Sequence, residues 1–239
     1  FTTELIADDL GGRLDPRRVE AFDAFYRDWS KLIARTTVLG SRTMGAPEVL
    51  GAKLYWDFFY YWAFMCPYYF ASCWTVGPEE HERFHRMLSR FAALNERAQR
   101  VLQAWTDVAP RDPTVPFVGL PAISTTLSDL HLALLEPRGV EATYEAMQRA
   151  LPWGEEIVTE LLLRALRRAV ESRAAALLAR VEGDWHVPEE RLDADEAEPQ
   201  KRRKLLGKTV RDMERSIGKN AREEGDVSLR ALWTVAHQR

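Results

Sequence analysis

Two histidines and a glutamate with the spacing of a zinc peptidase are the first residues in this chain that suggest chemistry. His81, Glu82 and His85 match the pattern H-E-x-x-H, in which histidines one helical turn apart ligate zinc and the glutamate activates water. Such a peptidase also needs a third protein ligand, and Glu96 is the only nearby candidate. The motif lies in the opening turns of an acidic, solvent-facing helix, whereas metal ligands need dry surroundings. We therefore interpret the match as a coincidence and predict no metal site.

A lysine and an aspartate form the second candidate site. Lys53 and Asp57 are the only charged residues between positions 53 and 74, and their spacing of four places them on one helix face. One interpretation is a structural ion pair. The other is a polar anchor in a pocket for an aromatic or acyl ligand, with Trp56, Tyr60 and Tyr61 as walls, because such pockets combine apolar walls with few polar groups. In both cases a buried Asp57 requires its partner.

The candidate pair lies in an aromatic stretch around which the chain is organised. Twelve aromatic residues lie between positions 53 and 74, and no charge follows Asp57 until Glu79. Apolar side chains fall on every side of a helical wheel, which predicts a helix over residues 47–74 enclosed by protein or by lipid. A bilayer span needs about 20 predominantly apolar residues, but the tyrosines favour an interface and Pro67 removes a backbone donor. We predict a buried helix and no transmembrane span.

The remaining sequence predicts helices that pack around this stretch. Apolar residues recur at spacings of three and four, and proline and glycine mark helix starts and ends. The predicted elements are a short helix before Gly11, helices of about 20 residues from Pro16 and about 28 residues from Pro78, and helices over 124–135, 141–151 and 155–181. The aromatic side of the second helix should pack on the aromatic stretch. Because no β-alternation is visible, we expect an all-α fold, a bundle-like array around the aromatic helix.

Composition shifts divide the chain into four predicted regions. These are a helical core over 1–108 that includes the aromatic helix 47–74, a proline-rich loop over 109–123, a second helical part over 124–183, and a charged peripheral helix and tail over 184–239. In the last region an acidic block, 192–199, precedes the basic run KRRK at 201–204. The basic run resembles a localisation signal or a phosphate-binding patch. We interpret it instead as a charge neutralised within its own segment, or as a solvated helix face.

Length, charge and cysteine content narrow the class of protein. The chain of 239 residues is 46% hydrophobic and 29% charged, which is typical of a globular protein. Its net charge of −3 gives no general attraction to nucleic acid, so no nucleic-acid partner is predicted. Cys66 and Cys73 are about 10 Å apart along a continuous helix, beyond the reach of a disulfide. They therefore predict reduced thiols and a cytoplasmic location.

Common nucleotide-binding and catalytic motifs are missing from the sequence. It contains no G-x-G-x-x-G, no G-x-x-x-x-G-K, no G-x-S-x-G and no C-x-x-C. These patterns build the usual cradles for phosphates and dinucleotides and the usual nucleophile turns. The chain by itself is therefore expected to lack a common phosphate or dinucleotide cradle.

Two spaced motifs, FTTELIADDLGG at 1–12 and PEVLGAKLYWDFFYYW at 47–62, occur in this order in the sequence. Together they resemble the C-terminal half of the tryptophan-halogenase-like family of FAD-dependent oxidoreductases. The opening FTTELIADDLGG is similar to a family segment that directly follows the flavin-binding domain, and PEVLGAKLYWDFFYYW is similar to a motif in the helical region packed over that domain. Weaker similarity continues through Leu94, Asn95 and Trp105, so the likeness covers about the first 110 residues. The matching positions are Phe1 to Leu10, Val49, Ala52, Lys53, Trp56, Asp57, Tyr61 and Trp62.

The resemblance implies the helical, substrate-side portion of an FAD-dependent halogenase or monooxygenase. The family's glycine-rich fingerprint, its W-x-W-x-I-P signature and its catalytic lysine have no counterpart here, so no catalytic residue is assigned. FAD and a flavin-binding domain or subunit are the implied cofactor and partner, with a small aromatic or acyl molecule as substrate. Lys53, Trp56, Asp57, Tyr60 and Tyr61 are the candidates for lining the pocket or contacting the flavin domain. The alternative is a stand-alone helical module that holds an apolar ligand or partner without catalysis.

Overall fold

The computed structural model describes residues 2–40, 43, 45–73, 76–108, 124–169, 171–181, 185–194, 197–217 and 228–237. Throughout these ranges the chain is all α, with no strand, as the sequence predicts. The longer helices are α1 (Thr2–Leu10), α2 (Pro16–Gly40), α3 (Pro47–Tyr60), α5 (Pro78–Val108), α6 (Thr125–Leu132), α7 (Val140–Arg168), α8 (Glu171–Val181), α11 (Lys208–Ile217) and α12 (Leu229–His237). The shorter ones are α4 (Cys66–Phe70), α9 (Glu189–Asp193) and α10 (Pro199–Leu205). The predicted proline-rich loop, 109–123, lies outside the described residues.

The sequence predicts one helix over 47–74, and this prediction is wrong. After α3 the chain makes a π-helical turn (Tyr61–Met65) before α4, and α4 ends at Phe70. In the π turn the N–H of Cys66 donates to the carbonyl of Tyr61, five residues back. The wider turn restarts the helix so that Pro67 occupies the first turn of α4, where a missing N–H costs little. Continuous α-helix would instead set the proline ring against the preceding turn.

Helices α2, α5 and α7 enclose the aromatic stretch. Phe25 of α2 stacks on Tyr68, with ring centroids 4.8 Å apart, which confirms the predicted packing of the second helix. Phe91 of α5 stacks on Phe64 at 4.4 Å. Both cysteines are buried and free, as predicted. No helix in the described ranges combines the length and the apolar character needed to cross a bilayer.

Helix α7 differs from the two helices predicted over 141–151 and 155–181. It runs without a break through Pro152, which is exposed, as is Gln148 one turn earlier. The carbonyl that Pro152 leaves without a donor therefore faces water, so the helix continues. The break comes instead after Arg168, where Ala169 adopts an extended backbone. The sequence also predicts that Gly183 ends the second of these helices, and Gly183 lies outside the described residues.

The described residues of 184–239 are not a peripheral helix and tail. Leu192, Met213, Leu229 and Leu232 are each at most 4% exposed and belong to the main or adjoining core. Much of the remaining burial is polar, because Arg191, Arg202, Thr209, Asp212 and Ser216 are also buried. Such residues do not contribute to a hydrophobic periodicity, which is why the sequence pattern did not reveal this packing.

Candidate functional site

The predicted pair on α3 forms as an ion pair, partly shielded from water. Nζ of Lys53 donates a short hydrogen bond to Oδ2 of Asp57, and the two side chains are 9% and 27% exposed. Burial raises the pKa of Asp57 above its ordinary value, although Lys53 and the nearby amide of Gln99 act in the opposite direction. Oδ1 of Asp57 has no hydrogen-bond partner among the described residues. This oxygen is buried and the Gln99 amide is nearby, so the carboxylate is an internal group of the helix packing.

A buried polar chain continues from α3 into α5 and α2. Nε1 of Trp56 donates to Oδ1 of Asn95 over 2.8 Å, and Nδ2 of Asn95 donates to Oγ1 of Thr36 over 2.9 Å. Gln99 donates to the same Asn95 oxygen over 3.3 Å. Asn95 and Gln99 are each 1% exposed. These hydrogen bonds link α2, α3 and α5. They also satisfy buried polar groups that would otherwise destabilise the fold.

The two candidate tyrosines occupy opposite environments. Tyr60 is 1% exposed, and burial raises the pKa of its hydroxyl. This hydroxyl has no hydrogen-bond partner among the described residues. Tyr61, in the π turn, is 50% exposed, and its pKa is raised chiefly by a hydrogen bond with the Cys66 thiol. The hydroxyl of Tyr60 is therefore buried inside the protein, whereas the side chain of Tyr61 is half exposed to solvent.

Lys53, Asp57 and Tyr61 form a row that rises from the interior to the surface. Their spacing of four places them on one face, and their side chains pass from nearly buried through half-buried to exposed. The row ends in a π turn, a feature often found at functional sites. We call Lys53, Asp57 and Tyr61 the polar row. It brings together three of the five predicted residues, while Trp56 and Tyr60 lie in the core.

Asn95 and Gln99 extend the candidate site beyond the residues that the sequence singled out. Asn95 and Gln99 are two polar residues, four positions apart, within the buried apolar face of α5. Their sequence neighbours Leu94 and Ala98 are also buried. Polar residues on a buried helix face need partners, so this interruption was the signal available in the sequence. Their actual partners, Trp56 and Thr36, lie on other helices, and helical spacing alone cannot identify them.

The residues of the H-E-x-x-H match have structural neighbours. The ring of His81 packs edge-on against that of Phe22, with ring centroids 6.3 Å apart. Oε1 of Glu82 lies 2.5 Å from the guanidinium of Arg86, and His85 is exposed. The intervening Arg83 makes a two-pronged pair with Glu141 at 2.8 and 2.9 Å. Across the described ranges no group of three candidate ligands is close enough to hold a metal ion.

A small apolar cleft lies beside the π turn and α4. Trp62, Phe70 and Leu134 are among its lining residues, Arg138 stands at its edge, and its volume is about 90 Å³. Trp62 also stacks on His131, with ring centroids 4.6 Å apart. Ligand pockets usually enclose about 300–1,000 Å³. As it stands, this cleft is too small for an aromatic substrate.

No protein-family model, curated protein or solved structure matches this chain.

Proposed function

We propose that this chain is the helical, substrate-side portion of an FAD-dependent halogenase or monooxygenase. It packs against a flavin-binding domain or subunit and helps to shape and shield the space in which a small aromatic or acyl substrate meets the flavin. The free thiols of Cys66 and Cys73 fit a reducing compartment, the cytoplasm. FAD itself would be held by the flavin partner, and the contribution of this chain is to position groups and exclude water.

The observation that carries the proposal is the apolar surface that α1 presents to solvent. Ile6 and Leu10 are 54% and 84% exposed and lie four residues apart, on one helix face. On helix α2, Tyr26 and Ile33 are 58% and 42% exposed and lie seven residues apart, on one face of that helix. Contiguous exposed apolar patches mark protein contacts, and we propose that these two helix faces form one such patch. We call Ile6, Leu10, Tyr26 and Ile33 the N-terminal apolar surface.

The position of this surface in the sequence supports a flavin-binding partner. Helix α1 coincides with the segment whose likeness is to the residues directly after the flavin-binding domain of the halogenase-like family. The second motif of the resemblance contributes the polar row, whose outer residue, Tyr61, is 50% exposed. Each motif therefore includes exposed side chains, Ile6 and Leu10 in the first and Tyr61 in the second, which support the proposed contact with a partner domain.

The stand-alone binding module receives less support from the same structure. That alternative requires an apolar pocket within this chain, and the cleft beside Trp62 holds only about 90 Å³. Trp56 and Tyr60, two of the predicted walls, are fully packed in the core. The flavin-partner proposal needs no closed pocket within this chain, because the substrate space would form between the two parts.

Surface variants test the proposed contact. Tagged wild-type protein and the double variant Ile6→Ser/Leu10→Ser are expressed in cells that carry the native gene, and FAD is measured per purified polypeptide. The wild type should retain FAD, and the double variant should release it more readily, because two apolar anchors are lost. Leu135→Ser is the matched control, since Leu135 is 77% exposed on another surface. The proposal would be contradicted if the wild type carried no FAD. It would also be contradicted if the double variant retained as much FAD as the wild type.

A further inference from the structure

A concave, positively charged surface lies between α10, α11 and the first residue of α6. Its volume is about 1120 Å³, far larger than the cleft beside Trp62. We call it the basic pocket. Its basic lining residues are Arg202, Arg203, Lys204, Lys208, Arg211 and Arg215.

The acidic residues of the basic pocket neutralise only part of this charge. Asp212 and Glu214 also line it, and each already has an arginine partner. Arg215 contacts Asp212 at 2.5 Å, and Arg202 makes a short contact with Glu214. Four of the six cations are left without a carboxylate inside the pocket, in a protein whose overall net charge is −3. The positive charge is therefore a local feature.

The basic pocket is held in place by hydrogen bonds that do not depend on an anion. Arg211 donates to the carbonyl of Arg203 over 2.9 Å and also to that of Leu206, which fixes the end of α10 against α11. Arg202 donates to the carbonyl of Ala194 over 2.8 Å. Arg202 and Arg211 are thus placed by the fold, which lowers the entropic cost of ligand binding at these two side chains.

Asp193, in the acidic block that precedes KRRK, lies near cations of two segments. The pKa of Asp193 is lowered chiefly by its hydrogen bonds to an arginine of another helix, and the charge of Lys201, the first residue of KRRK, adds to this shift. That carboxylate pairs with Arg230 of α12 at 2.6 and 2.8 Å. Arg203 and Lys204 are exposed, and within the described ranges neither has a carboxylate partner. Lys208 lies 3.8 Å from Asp129, but both side chains are at least two-thirds exposed, so this contact is weak.

We infer that the basic pocket binds a small molecule that carries a diphosphate group. Guanidinium groups match phosphate oxygens in two-pronged geometry, and lysine ammonium groups add point charges. The four cations that lack a carboxylate partner inside the basic pocket suit a group with several negative charges. The pocket volume exceeds the needs of a single phosphate and leaves room for an attached organic group. This inference is independent of the flavin-partner proposal.

Isothermal titration calorimetry with inorganic diphosphate and with ADP tests the inference. Both should bind the wild-type protein, more weakly as salt rises, because exposed charges are screened. Arg203→Ala/Lys204→Ala should weaken binding at least about tenfold, the effect of losing charged hydrogen bonds. Tighter binding of ADP would mean that the attached group is also contacted, whereas equal affinity would identify the diphosphate itself as the recognised group.

The matched control is Arg86→Ala/Arg149→Ala, which removes two exposed arginines from α5 and α7. It makes the same change in net charge outside the basic pocket and should leave the affinity unchanged. Unchanged circular dichroism would show that both double variants fold. Three results would overturn the inference: no binding of either ligand at millimolar concentration, an equal loss in the control, or tighter binding of a single-stranded oligonucleotide, which would indicate a nucleic-acid surface.

Discussion

The hydroxyl of Tyr55 donates a hydrogen bond to Oδ2 of Asp212 over 3.1 Å, across 157 residues of sequence. The same carboxylate accepts from the Thr125 backbone at 3.0 Å, the Thr126 backbone at 3.1 Å and the hydroxyl of Ser124 at 2.5 Å. Asp212 therefore caps α6 from a distant helix and joins α11 to the aromatic stretch. This contact explains why a segment with few large apolar residues packs on the core.

Replacement of Asp212 tests this long-range cap. Asp212→Asn removes the charge that these donors share, and Asp212 is 1% exposed, so we expect a loss of about 3 kcal/mol in the free energy of unfolding. Urea denaturation measures the loss. Asp129→Asn is the matched control, because Asp129 lies on α6 but is 67% exposed, and it should change stability by less than about 0.5 kcal/mol. Similar values for the two variants would show that the cap contributes nothing special.

Acid should destabilise the protein through Glu160. Oε1 of this fully buried carboxylate accepts from Arg164 at 3.0 Å and Arg167 at 2.8 Å, and Oε2 accepts from Arg191 at 2.5 Å. Burial alone would raise its pKa, but the three arginines outweigh burial and lower the pKa from 4.5 to about 2. The folded state therefore favours the charged form. Its contribution to stability is complete above pH 4.5 and is lost as the pH falls toward about 2.

The pH dependence is measured by urea denaturation of the wild type and Glu160→Gln between neutral pH and pH 3. The variant should lose about 3–5 kcal/mol at neutral pH, because three buried arginines lose their counter-charge. It should also show a smaller further loss in acid than the wild type. An acid profile with the same slope in both proteins would contradict the account of Glu160.

Variants of Lys53 and Asp57 test whether their ion pair stabilises the fold. Asp57→Asn leaves a nearly buried Lys53 without its partner and should reduce the free energy of unfolding by about 2–4 kcal/mol. Lys53→Met/Asp57→Asn removes both charges and should recover most of that loss. The control is Asp23→Asn, which breaks an exposed pair with Arg27 at the same spacing and should cost less than about 0.5 kcal/mol. A double variant as unstable as Asp57→Asn would contradict the pairing account.

Two helical glycines should respond in opposite directions to alanine. A Cβ at Gly154 would lie 2.6 Å from Cδ2 of Leu94 and 3.1 Å from Cε1 of Phe59, so Gly154→Ala should destabilise the protein by about 1–3 kcal/mol. At Gly51 the nearest atom would be 3.9 Å away, and Gly51→Ala should gain up to about 1 kcal/mol from helix propensity. Thermal denaturation compares the two. A gain in both would show that α5 and α7 are less closely packed than described.

The helices that local signals specify could be predicted, and those that depend on distant contacts could not. Pro16 and Pro78 mark the starts of α2 and α5, and the apolar period carries both helices onward. The break predicted between 151 and 155 does not form, although Pro152 lies there, because the effect of an internal proline depends on whether the freed carbonyl reaches water. The π turn before Pro67 was also missed, since no periodicity distinguishes five residues of π-helix from α-helix.

The candidate site was predictable only along its own helix. The spacing of Lys53 and Asp57 predicted their pairing, and the structure confirms that contact. Asn95 and Gln99 reach the same region from α5, and a one-dimensional pattern does not specify which buried polar groups meet across helices. The same limitation hid the burial of Asp212 and Arg191, whose charges resemble those of a solvated surface until their partners are known.

The denatured mass and flavin content of the protein isolated from its natural source test the central proposal most directly. The polypeptide is isolated with an antibody to this chain, and its mass and any released FAD are measured by mass spectrometry. We predict either a polypeptide heavier than 27.5 kDa that carries FAD, or a chain of this mass that co-purifies with a separate FAD-binding subunit. A chain of 27.5 kDa with neither FAD nor a flavoprotein partner would contradict the proposal and favour the stand-alone binding module.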